Sequence, residues 1–92
     1  MTDKAPYVTS RGIGWVHTDS DDGPLVHVAR LPNGPLHILA DTSALIWLAA
    51  VEGTSDVVAE VAEACGLPQE TIRQDVETFV AELVERGLLR RA

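Results

Sequence analysis

Three histidines stand ten residues apart, at His17, His27 and His37. In a meander with two equal reversals, that spacing would bring three imidazoles side by side on neighbouring strands, which is how a zinc site begins. Nothing completes it. No carboxylate or cysteine is obliged to join, and a slip of one residue in register sends neighbouring side chains to opposite faces of a sheet. The histidines read as polar strand positions, and no metal is assigned. Cys65, the single cysteine, sits at a helix end with no base in view and reads as a small buried hydrophobe rather than a nucleophile. Trp15 and Trp47 read as core anchors. The chain has no phosphate-cradling loop, no dinucleotide fingerprint and no nucleophile elbow, and no acid–base pair emerges. The expectation is a protein that is not an enzyme and carries no cofactor, so its chemistry has to be that of binding.

Charge narrows what it binds. Fourteen Asp and Glu against seven Lys and Arg leave a net charge of −7, and such a surface repels phosphate backbones and anionic lipid heads. Nucleic acid and membrane are therefore not expected partners. The apolar run from Ala44 to Val51 is far shorter than the roughly 20 residues that span a bilayer, the N-terminus lacks a basic-then-apolar signal pattern, and a lone cysteine suits a reducing compartment. A cytoplasmic location is expected. Ninety-two residues leave room for one core. Residues 1–10 read as a flexible arm and residues 11–92 as a single domain.

The elements that position a binding surface follow from the periodicity. Ile13, Trp15 and His17 alternate with Gly12, Gly14 and Val16, a period-two pattern for a first strand over about Arg11–His17. The turn formers Thr18 to Pro24 lead into a second strand, Leu25–Arg30, and Pro32-Asn33-Gly34-Pro35 reverses the chain into a third, Leu36–Ala40. From there the period is helical. Asp41 or Thr42 is the expected cap of a helix over Thr42–Val51 that is apolar on every side, so that part of Leu45, Leu48 or Ala49 either stays exposed as a contact patch or is covered by the N-terminal strands. Thr54 or Ser55 is the expected cap of a second helix, about Asp56–Cys65, which Gly66 terminates. A long third helix runs from Leu67-Pro68 to about Arg86. Three antiparallel strands followed by three helices make an α+β, winged-helix-like fold.

Two surfaces stay open for binding. In the third strand, Leu36, Ile38 and Ala40 face one way while His37 and Leu39 face the other, and as the last strand of the sheet it offers unpaired backbone groups unless the N-terminal arm covers them. On the third helix, Ile72, Val76, Phe79 and Leu83 form the expected core stripe. Val80 and Val84 fall on a flank with Arg73 and Glu77, which reads either as a groove wall or as packing beneath neighbouring elements. Asp75 lies on the opposite flank with Glu82 and Arg86. A DNA-binding winged-helix regulator is the alternative with the same layout, but its recognition helix would present Glu70, Asp75, Glu77, Glu82 and Glu85 against Arg73 and Arg86, the wrong sign for phosphate.

The runs Leu39-Ala40-Asp41-Thr42-Ser43-Ala44-Leu45-Ile46-Trp47, Glu52-Gly53, Asp75-Val76 and Leu83-Val84-Glu85-Arg86-Gly87-Leu88-Leu89 resemble, in order and spacing, the PqqD-like family over about Leu36 to Leu89. The family's usual Leu-Asn or Leu-Asp before the first helix is Leu39-Ala40-Asp41 here. The resemblance implies a non-catalytic module that recognises the leader of a ribosomally made precursor peptide by strand addition. It implies Leu36, His37, Ile38 and Leu39 for the strand edge, and Arg73, Val76, Glu77, Val80 and Val84 for a helical wall. Asp75 would pair with a leader cation or order the groove. The implied partners are a precursor leader peptide and a separate modifying enzyme, such as a protease or cyclase, acting in trans, with a lasso-peptide pathway as the first guess.

Overall fold

A computed structural model describes residues 6–92. The chain runs β1 (Tyr7–Thr9), β2 (Ile13–Ser20), β3 (Gly23–Arg30), β4 (Leu36–Ala40), α1 (Thr42–Val51), α2 (Val57–Cys65), α3 (Gln69–Glu85) and β5 (Leu89–Arg91). Strands β2, β3 and β4 form an antiparallel meander with β3 in the centre. The expected α+β order of three strands and then three helices is what forms.

The first hairpin is tighter than the sequence suggests. Ser20 sits opposite Gly23, so only Asp21 and Asp22 turn the chain, and the strands reach further into the polar stretch than their alternation shows. Pro24 can stand inside the central strand because its nitrogen faces Asp41, one residue beyond the end of β4, and the Asp41 carbonyl accepts instead from the Leu45 amide at 3.0 Å. One face of this sheet is buried: Val26, Val28 and Leu39 join the core with Trp47, Ile72, Val76, Leu83 and Leu89. Trp15, across from Val28, packs its ring edge-to-face on Trp47 with centroids 6.2 Å apart.

Helix α1 spends its all-round apolar surface on burial: Ala44, Ile46, Trp47, Leu48, Ala49 and Ala50 are buried, and Leu45 is half-buried beside α2. Of the two outcomes open in the sequence, burial therefore applies to Leu48 and Ala49. Its start departs from expectation. Asp41 has φ 54° and ψ −125° and its side chain makes no capping bond, so the side-chain cap expected from Asp41 or Thr42 is absent and a left-handed residue turns the chain out of β4 instead. Helix α2 is capped by Asp56, whose Oδ1 accepts from the Ala59 amide at 3.1 Å, and not by Thr54 or Ser55. Gly66, at φ 68°, ends it in the left-handed conformation that a residue with a Cβ resists.

Two long-range features lie beyond local pattern. Tyr7–Thr9, part of the stretch read as a flexible arm, pairs antiparallel with Leu89–Arg91; residues 1–5 of that arm lie outside the described residues. On α3 the buried stripe is Ile72, Val76, Val80 and Leu83, with Phe79 only partly buried against it. Of the two readings open for Val80, packing is the one that holds, and Phe79, expected at the centre of the stripe, lies at its margin, because the buried side of α3 faces α2 and the β1–β5 pair.

Candidate functional site

The Asp41 amide donates to the Pro24 carbonyl at 3.3 Å, and the register places Val26 opposite Leu39 and Val28 opposite His37. Hydrogen-bonded and non-bonded pairs alternate along an antiparallel ladder. His37 and Leu39 therefore direct their backbone groups at β3, and Leu36, Ile38 and Ala40 direct their N–H and C=O away from it, along the edge of the sheet. Among the described residues no strand occupies that edge. The side chains divide in the same way. Leu39 is buried and His37 half-buried on the helical side, while Leu36 and Ile38 stand 60% and 61% exposed on the outer face.

The helical residues occupy a different place. Arg73, Val76, Glu77 and Val80 line a cavity of about 340 Å³ together with Tyr7, Ser55, Asp56, Val57 and Arg91. Val76 and Val80 are its buried floor; Arg73 and Glu77 are exposed at its rim, and Arg73 donates to Gln69 Oε1 at 3.2 Å. On the far side, the Arg91 guanidinium lies 5.7 Å from the centre of the Tyr7 ring. No β4 residue is among the walls. Val84, half-buried, and Asp75, exposed, are not among them either. The structure thus brings four of the five expected wall residues together, and it brings them to the β1–β5 pair rather than to β4. Val80, 3% exposed, is core and not the open side of a groove. Ala40 belongs with the edge, and its parity with Leu36 and Ile38 is the signal that could have placed it there. Tyr7 and Arg91 had no such signal, since they meet only through pairing across nearly the whole chain.

The histidines are one residue out of register with each other. His17 lies opposite Val26, His27 opposite Val16 and Ile38, and His37 opposite Val28, so His27 points to the outer face and the other two to the inner one. Among the described residues no three His, Cys, Asp or Glu side chains gather as metal ligands, and no helix is long and apolar enough to cross a membrane.

The described chain is a small α+β unit with an open, apolar strand edge, and such an edge can pair with another extended strand. The family model for coenzyme PQQ synthesis protein D (PqqD) matches residues 25–89, from the central strand to the start of β5. The chain belongs to the PqqD family, whose members are accessory proteins of peptide-modification pathways, associated with precursor peptides and the enzymes that modify them. No curated protein and no solved structure matches the chain.

Proposed function

We propose that this protein is a non-catalytic recognition module that takes the leader segment of a precursor peptide as an added strand on β4 and delivers it to a separate modifying enzyme acting in trans. The observation that carries the reading is the β4 edge: three residues, Leu36, Ile38 and Ala40, with outward backbone groups and neither proline nor charge in the strand. Main-chain pairing along such an edge supplies affinity, and neighbouring side chains supply choice. Of the residues proposed for this site, Leu36 and Ile38 would pair through the backbone, while His37 and Leu39 would contribute side chains on the inner face beside the edge. On α3, Arg73 and Glu77 at the rim and Val76 and Val80 on the floor form a separate surface beside the β1–β5 pair, proposed as a second contact, with Val84 and Asp75 as outlying positions. The acids exposed along α3 oppose the DNA-binding alternative. A lasso-peptide pathway is the first to test.

Fluorescence anisotropy with the labelled leader of a precursor encoded beside this gene should give a dissociation constant in the micromolar range or tighter, on the order of −8 kcal/mol. Ile38→Pro removes an amide that points outward and spares the bonds to β3. It should weaken binding by more than about thirtyfold and move the melting temperature little. Equal binding of a scrambled leader, or full binding by Ile38→Pro, would overturn strand addition.

A further inference from the structure

The outer face of the sheet is apolar where a solvated face would carry charge. Ile38 stands in one cross-strand row with His27 and Val16, and Leu36 in the next with Ala29 and Gly14. Leu31 closes the second row: its Cδ1 lies 2.9 Å from where a Cβ on Gly14 would stand, so the side chain folds over that glycine on the outer face. Val16, Leu31, Leu36 and Ile38 are each at least 60% exposed. Four large aliphatic side chains in this state on one small face, running up to an unpaired strand edge, form the kind of patch that marks an interaction site.

Resting on the strand-addition reading, we infer that this outer face, and not only the helical side, selects the peptide, and that its ligand is an extended segment with aliphatic side chains two residues apart. The register dictates the spacing. Leu36, Ile38 and Ala40 carry the outward backbone groups, so the residues of an incoming antiparallel strand that bond to them sit directly opposite and share their face. The residue opposite Ile38 extends the row of Val16 and His27, and the residue opposite Leu36 extends the row closed by Leu31. Aliphatic or β-branched side chains at these two places bury surface that is exposed in the free protein, and polar ones leave it wet. Between them, the alternate peptide residue points to the inner face beside His37 and Leu39. The occupant is thus a β-forming peptide of pattern aliphatic, any, aliphatic.

The test uses a display library of random twelve-residue peptides selected on the immobilised full chain, followed by anisotropy with one selected peptide on Ile38→Pro and on the double variant Leu36→Thr with Ile38→Thr. Threonine keeps the branched, strand-forming shape and the outward amides while removing aliphatic surface. Selected sequences should share aliphatic residues at i and i+2, and the double variant should lose affinity by about tenfold while Ile38→Pro loses binding altogether. If Ile38→Pro abolishes binding and the double variant binds as well as the parent, strand addition stands and the outer-face inference fails. If Ile38→Pro binds normally, or nothing is selected, strand addition fails and takes this inference with it. Sedimentation of the free protein covers the remaining occupant: a dimer that the double variant dissolves, with peptide affinity unchanged, would assign the face to a second copy and overturn the inference.

Discussion

The sheet has two edges, and they are built differently. On β2, the Leu31 amide donates to the Gly12 carbonyl at 2.7 Å, in register with the pair Gly14 and Ala29, so Ile13, Trp15, His17 and Asp19 turn their backbone groups outward. That edge is eight residues long against five for β4, and by length alone it is the better template for another strand. Its side chains argue the other way. Asp19 and His17 sit on it as a pair 3.0 Å apart, Asp21 and Asp22 crowd its end, and Trp15 is committed to Trp47. Charge along an edge is how sheets discourage addition. On β4, the sequence Leu-His-Ile-Leu-Ala carries no formal charge. Unpaired backbone groups are common to both edges; what distinguishes a receptor from a mere end of the sheet is the company those groups keep.

The largest effect tests whether recognition belongs to an edge at all or to α3. Val80→Glu would place a carboxylate in the core beside Val76 and Leu83, at a cost of about 4 kcal/mol, a large part of what a small domain has. Circular dichroism should show a largely unfolded protein; a folded variant that has lost only peptide binding would return the site to the helix. Proline scanning sharpens the contrast between the two edges. His37→Pro deletes an amide that bonds to β3 and should lower the melting temperature by roughly 15 °C. His17→Pro deletes an amide that points outward from β2 and should cost less than about 1 kcal/mol, leaving peptide affinity unchanged. Loss of binding in His17→Pro would make β2 the receptor edge. The smallest effect concerns the junction that ends β4. Asp41→Gly relieves a positive φ and forfeits no capping bond, so it should stabilise the fold by about 1 kcal/mol, visible as a small rise in the thermal midpoint.

Much of this was legible in the sequence because it is local. The third strand and the first helix occupy the residues that period and turn chemistry assign them, and the two faces of β4 follow from alternation alone. The helix starts were less legible, since Thr54, Ser55 and Asp56 all carry capping oxygens and only the geometry chooses Asp56. A helical wheel could not rank Phe79 against Val80: which side of α3 is buried depends on the β1–β5 pair, and that pair joins residues with no local sign of each other. The histidine spacing misleads for a related reason. A ten-residue interval suggests alignment, but the two-residue turn after Ser20 and the longer one before Leu36 each shift the register by one.

The pairing of Tyr7 with Arg91 also has a practical side. Pro6, Tyr7 and Arg91 line the α3 cavity, so the described chain begins and nearly ends at one spot on the surface. A fluorophore, an affinity handle or a fused enzyme joined at Pro6 or just after Arg91 would be tethered beside that cavity, and a short linker between those two points could close the described chain into a circle. Moving such an attachment from one terminus to the other would change its polarity along the backbone while holding its point of departure almost fixed. For a module proposed to deliver a peptide to a separate enzyme, this makes the tethering geometry indifferent to gene order.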